Sequence, residues 1–184
     1  MGNSTTKVER DYLYRNELES LFKAAKASNR GTRNYALLLV MYRHGLRRSE
    51  AVAMQWQDIN FPGEEIYIKR AKGSVSGSAP LWKDELVALR NYQRESGDRS
   101  FGTVWQGWKN KPLTAKAIYK IIKELGKTIG LDIHPHQLRH SCGYHLINNG
   151  NELRLVQQLL GHKEINNTVR YTKLAAGALR ALVN

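Results

Sequence analysis

The sequence predicts a mainly α-helical fold with one small three-stranded antiparallel β-sheet. Three observations predict it. Apolar residues recur at helical spacing through most of the chain. Residues 56–82 break that rhythm with turn residues and short apolar runs. The 184 residues amount to about one domain and show no internal repeat or domain boundary.

Residues 1–14 read as a loose polar arm. Asn16 and Glu19 resemble a capping box, and Leu18, Leu21, Phe22 and Ala25 continue at helical spacing. The run YALLLVMY within residues 33–43 is apolar on all sides, which predicts a central, buried helix broken at Gly45. A short helix is expected over 48–54. Pro62 and Gly63 then mark a turn, Ile66-Tyr67-Ile68 an extended run, and residues 72–78 a flexible hairpin before the APLW at 79–82. Leu86 and Leu89 place the next helix, followed by a loop over about 96–113. Thr114 is suited to cap a helix carrying Ile118, Ile121, Ile122, Leu125 and Ile129, with Gly130 at its end. Pro135 suits the first turn of a helix that reaches about Asn148. Leu153, Val156 and Leu160 define another, ended by Gly161, and a last helix is expected over 166–182. The organisation expected is an arm at 1–14, a domain at 15–176 and a tail at 177–184.

Charge narrows the function. Twenty-nine Lys and Arg against sixteen Asp and Glu give a net charge of +13. Such a domain suits a polyanion, most often nucleic acid, although a basic structural protein has the same balance. Hydrophobic residues at 41% argue against a disordered chain. Cys142 is the single cysteine, so no disulfide forms within the chain, consistent with a reducing cytoplasm. The N-terminus is polar and reads as no signal peptide, and no apolar run approaches the ~20 residues of a membrane helix. A cytoplasmic protein, nucleoid-associated when bound to DNA, is the expected setting.

The predicted helix from Pro135 has two faces. Leu138, Cys142 and Leu146 form an apolar stripe; His136, Arg139, His140 and Gly143 form another. An arginine fork matches phosphate oxygens, and an imidazole moves protons near neutral pH. Two other readings stand beside this: a merely solvated face, and a metal held by His136 and His140. No neighbouring carboxylate or second thiol completes a metal site, and none is expected. GLRRSE at 45–50 places Arg47 after the buried helix, with Glu50 three residues on and able to orient a guanidinium. LLGHKEINNTVRYTKL at 159–174 places His162 after a helix-ending glycine and Tyr171 nine residues later. Singly these are ordinary, since a helical tyrosine is usually packing.

In this order, Arg47 in GLRRSE, His136 and Arg139 in HPHQLRH, His162 in LGH and Tyr171 resemble the tyrosine recombinase, or phage integrase, family. The resemblance covers about residues 11–176. DIHPH, LRHSCGY and NNTVRYT look closest to the short invertases that switch fimbrial promoters. The resemblance implies the family's catalytic-domain fold and a DNA-breaking and rejoining activity. It also places a catalytic lysine on the hairpin, at Lys72, with Lys69 a weaker candidate. The loop departs from family usage in being rich in serine and lacking a second basic residue, which puts its DNA contacts in question.

The implied chemistry is attack by Tyr171 on a phosphodiester, with Arg47 and Arg139 neutralising charge that develops on the phosphate. His162 donates a further hydrogen bond, His136 is the expected base toward Tyr171, and Lys72 protonates the departing 5′ oxygen. Glu50 and His140 stand behind these groups as supports. Arg48, Lys69, Arg70, Lys163 and Arg170 are expected along the DNA backbone. The implied product is a 3′-phosphotyrosyl link, formed without ATP, metal or other cofactor. Implied partners are double-stranded DNA with a specific site and three further copies of the chain on two such sites, the free protein being monomer or dimer. The tail, with Leu174, Ala178, Leu179 and Leu182 at helical spacing, is expected to dock on a neighbouring copy or to pack on its own domain. Two alternatives share the fold: a type IB topoisomerase-like enzyme, in which the first histidine of HxxR is commonly lysine, and a non-catalytic DNA-binding regulator, which leaves the six ordered residues unexplained.

Overall fold

The structure, a computed structural model, describes residues 6–7 and 10–174. Its elements run β1 (Thr6–Lys7), α1 (Arg15–Ala27), α2 (Gly31–Arg43), α3 (Arg48–Ala53), β2 (Ile59–Asn60), β3 (Glu65–Ile68), β4 (Gly77–Pro80) and α4 (Lys83–Glu95). They continue with α5 (Ala115–Thr128), β5 (Leu131–Asp132), α6 (Pro135–Asn148), α7 (Leu153–Leu160) and α8 (Asn166–Leu174). The helix with no polar face is the centre: Ala36 to Met41 of α2 are at most 2% exposed, and α1, α4 and α6 pack around it. The sheet has the order β2-β3-β4, both pairs antiparallel, with Ile66 opposite Ile59 on one side and Ala79 on the other. In β3, Ile66 and Ile68 point into the core while Glu65 and Tyr67 face out, the period-two alternation of a sheet covered on one face. The fold class is therefore mainly α with a three-stranded antiparallel sheet.

Two boundaries differ from expectation. The first helix begins one residue before Asn16, and its capping carboxylate is Glu17, which accepts from the Tyr14 amide at 2.7 Å, so Glu19 is not used. Residues 10–14 are packed, not loose. Leu13 is buried and its amide donates to Ser141 Oγ at 2.8 Å, Gln137 Nε2 donates to the Arg10 carbonyl at 3.0 Å, and Tyr12 stacks on Tyr144 at 3.8 Å. Ahead of them β1 pairs in parallel with β5. The arm is thereby clamped to the helix that carries the HxxR residues. At the other end α8 is described to Leu174, and the tail with Ala178, Leu179 and Leu182 lies outside the described residues. Elsewhere Thr114 caps α5 by accepting from the Ala117 amide at 3.1 Å, and Gly161 ends α7 at φ 67°. Among the described residues no helix is long and apolar enough to cross a membrane.

Candidate active site

Helix C-termini expose carbonyls that need donors. Here two arginines supply them and in doing so draw three distant segments together. Arg139, on the buried side of α6, donates to the Gly45 carbonyl after α2 and to the Leu160 carbonyl at the end of α7, the latter at 2.9 Å. Arg70, just past β3, donates to the His44 carbonyl at 2.8 Å and to the Leu159 carbonyl. Glu50 in α3 is the counter-charge: Oε1 accepts from Arg47 Nη1 at 2.8 Å, and Oε2 accepts from Arg70 Nη1 at 2.9 Å and from the Arg47 amide at 2.8 Å. Burial alone would raise the Glu50 pKa, but the backbone amide of Arg47 and the charge of Arg70 prevail and hold it to about 2. Burial, with the cations of Arg47 and Arg70 beside it, lowers Arg139 to about 10.

The hairpin joins this cluster through its serines. Arg47 Nη1 donates to Ser74 Oγ at 2.9 Å, and Ser76 Oγ accepts from the Arg70 amide at 2.9 Å. The Val75 amide donates to the Gly161 carbonyl at 3.0 Å, a bridge that ties the hairpin to the turn carrying His162. The serine-rich composition thus serves internal contacts. Lys72 is exposed at the turn of this same hairpin.

Tyr171 is 1% exposed in a small apolar cluster with Cys142, Val156 and Leu160. Its ring lies against Gly143, where a Cβ would stand 2.5 Å from Tyr171 Cε2, so only glycine leaves room. Its hydroxyl lies 3.1 Å from His140 Nδ1. The His162 ring lies nearly parallel to the Tyr171 ring at 6.5 Å, and His162 Nδ1 is 2.8 Å from the hydroxyl of buried Thr168. Burial raises the Tyr171 pKa, against the opposing charges of Arg139 and Arg170. Burial first, then neighbouring arginines, lower His140 and His162 to about 4, and burial and Arg139 lower His136. His140 and His162 are therefore neutral at pH 7.

Two sequence expectations need correction. The group within hydrogen-bonding reach of the Tyr171 hydroxyl is His140, one turn beyond His136, because Tyr171 lies over the Gly143 end of the stripe. Arg70, expected along the DNA backbone, is buried instead: its side chain is 2% exposed and bonded to Glu50 and to the His44 and Leu159 carbonyls. Lys69 pairs with Asp58, with Nζ–oxygen distances of 2.8 and 3.0 Å, and its side chain stays exposed. Arg48, Lys163 and Arg170 are exposed, Arg48 lying over the Tyr119 ring and Arg170 pairing with Asp11 of the arm at 3.2 Å. With His136 and His140 these side chains, Lys163 apart, line an open cleft beside the tyrosine. Sequence reasoning missed Ser74, Ser76 and Thr168, whose small hydroxyls carry no pattern, and Asp11 and Tyr119, whose roles are set by tertiary neighbours. Gly143 stood on the correct stripe without its close approach being visible.

A buried tyrosine whose hydroxyl meets an imidazole and feels the charges of Arg139 and Arg47 is assembled here from separated sequence boxes, and such a set can attack an anionic phosphodiester. Residues 11–177 match the phage integrase family. The chain is 40% identical over 184 residues to the type 1 fimbriae regulatory protein FimB of Escherichia coli strain K12, covering 96% of this chain and 91% of that one. It is 34% identical over 153 residues to the tyrosine recombinase XerA of Pyrococcus furiosus, covering 82% of this chain and 54% of that one. The crystal structure of a XerA recombinase superposes with a TM-score of 0.80 at 28% identity, over 93% of this chain and 61% of that one. The chain belongs to the phage integrase family. It is a tyrosine-type site-specific DNA recombinase.

Proposed function

We propose that this protein inverts a DNA segment, cleaving each strand with Tyr171 to give a 3′-phosphotyrosyl bond and rejoining it to a new partner. The observation that carries this reading is Arg139 joining the Gly45 and Leu160 carbonyls, which draws the segment of Arg47 toward the turn of His162, whose ring lies 6.5 Å from that of Tyr171. Arg47 and Arg139 hold the non-bridging oxygens, since preorganised donors act most strongly where charge develops in a low-dielectric site. The neutral rings of His162 and His136 add N–H donors to the phosphate. Lys72, on the hairpin pinned to Arg47 through Ser74, protonates the 5′ oxygen as it leaves. The phosphotyrosine keeps the energy of the broken bond, so the 5′ hydroxyl of another strand reverses the step without a nucleotide cofactor.

Inversion, among the possible outcomes of exchange, is favoured by similarity to FimB over nearly its full length. Exchange between two sites calls for four copies on two duplexes, assembled from monomers or dimers. Arg48, Lys163 and Arg170 follow the phosphate backbone. The test is a nicked duplex carrying the cognate site, incubated with wild-type and Tyr171→Phe protein. An SDS-resistant covalent adduct is expected with the wild type and none with the variant; an adduct in the variant overturns the assignment. A plasmid with two sites in inverted orientation then reports inversion by restriction mapping, and unchanged orientation despite strand cleavage refutes that outcome.

A further inference from the structure

We infer that His140 is the proton acceptor for Tyr171 during strand cleavage, its Nδ1 taking the phenolic proton as the tyrosine oxygen bonds to phosphorus. This rests on Tyr171 being the nucleophile. The geometry selects His140 among three imidazoles. Its Nδ1 is 3.1 Å from the Tyr171 hydroxyl. Nδ1 of His162 faces the Thr168 hydroxyl at 2.8 Å, and that ring lies beside the tyrosine ring, 6.5 Å between centroids. His136 stands a turn earlier on α6, 5.7 Å from His140 ring to ring, at the exposed mouth. Geometry comes before pKa in choosing a base, and only His140 meets it.

Packing of the tyrosine ring sets this contact. Gly143 admits the ring against α6, one turn from His140, and the hydroxyl is delivered to the imidazole edge. The charged and titratable groups facing His140 are Asp11 from the arm, Arg170 and Tyr171 from α8, and His136 and Arg139 from α6, with His162 beyond the tyrosine. Cations outnumber the one carboxylate among them, and burial adds to their effect, so the ring is neutral and has an unprotonated nitrogen to offer. In the step, the bond from Tyr171 Oη to phosphorus forms and the bond from phosphorus to O5′ breaks. The phenolic proton passes to His140 Nδ1, and O5′ receives a proton from Lys72. On rejoining, the 5′ hydroxyl attacks phosphorus and gives its proton to the neutral Lys72 amine, while the bond to Tyr171 Oη breaks and the imidazolium returns its proton to the departing phenolate.

A proton transfer is distinguished from positioning by a side chain that accepts a hydrogen bond but not a proton. Single-turnover adduct formation on the nicked duplex is measured against pH for wild type, His140→Asn, His140→Ala and His136→Asn, with melting and DNA affinity checked for each. His140→Asn and His140→Ala are both expected to lose about 10²–10⁴-fold in rate with DNA affinity retained, the usual contribution of a general base. The wild-type rate falls on the acid side as His140 protonates; His140→Asn abolishes that limb and His136→Asn keeps it. A wild-type rate in His140→Asn overturns the inference, as does loss of the acid limb in His136→Asn. Tyr171→Phe separates the two levels: an adduct in that variant refutes the nucleophile itself. No adduct there, with full activity in His140→Asn, refutes only the role of His140.

Discussion

Glu50 is the one carboxylate among three guanidinium groups, and its replacement by glutamine is the sharpest probe of how the site is held. Glu50→Gln keeps the shape and one acceptor oxygen but removes the charge. In the folded protein the carboxyl is held to about 2, against 4.5 unperturbed, because Arg47 and Arg70 outweigh the cost of burial. That gap corresponds to about 3 kcal/mol of stability. Glu50 is 3% exposed, so solvent screening does not reduce it much. The folded pKa lies below the unfolded one. The contribution is therefore complete above about pH 5 and drains away as pH falls through the interval from 4.5 to about 2. Glutamine resembles the protonated carboxyl, so the variant should unfold in urea with about 3 kcal/mol less stability at neutral pH and a Tm lower by about 6–12 °C. By about pH 3 the difference should shrink to less than half. Equal stability at neutral pH, or a deficit that stays constant down to pH 3, would show that Glu50 does not anchor the arginines.

Arg70→Ala removes a buried partner of Glu50 and should cost about 3–5 kcal/mol in urea unfolding. Its DNA affinity should keep the wild-type salt dependence, whereas Arg48→Ala should lower the slope of log K against log salt by about 1; a reduced slope in Arg70→Ala would return that residue to the DNA interface. Gly143→Ala displaces the Tyr171 ring and should slow adduct formation by about 10²-fold, since a misplacement near 1 Å costs that much; wild-type cleavage would show that the close approach is dispensable. Lys72→Ala should lose about 10²–10⁴-fold in cleavage of an ordinary phosphodiester. It should recover most of that on a substrate with sulfur in place of the bridging 5′ oxygen, because a thiolate leaves without a proton; no recovery would exclude Lys72 as the acid.

Helices were legible because their signals are local. The all-apolar run became α2, Thr114 became a cap and Gly161 an end, each decided by residues within one turn. The sheet showed through the Pro62-Gly63 turn and the Ile66-Tyr67-Ile68 run that follows it, which lies in β3. Arg70 illustrates what was not legible. Arginine between a lysine and the hairpin reads as a DNA contact. It is buried because two helix C-termini and Glu50, all distant in sequence, offer it acceptors. The capping of α1 shifted for a similar reason. Leu13 is buried against α6, which fixes the chain's entry and selects Glu17 as the cap. His136 and His140 share one face of a helix, and spacing alone cannot say which a tyrosine from another helix will meet. The small volume at Gly143 decides it.

The charges in the site also explain why it favours cleavage over mere binding. Within the arginine cluster, Arg47, Arg70 and Arg139 bring three positive charges and Glu50 removes one, so two remain there. A bound phosphodiester carries one negative charge; as the tyrosine oxygen adds, the pentacoordinate phosphorus gathers a second on its non-bridging oxygens. The cluster's two charges therefore match the phosphorus centre in the transition state better than with substrate bound, while Lys72 and the proton taken by His140 lie outside that sum. Only interactions that strengthen in the transition state raise the rate. The lowered pKa of Arg139 is the cost of this arrangement seen in the free protein: burial and two neighbouring cations oppose its charge until an anion arrives. Glu50 then has a defined share. It neutralises enough charge to let the arginines pack, mainly through Arg70, and leaves Arg47, 31% exposed at its side chain, as the one of the three that reaches solvent.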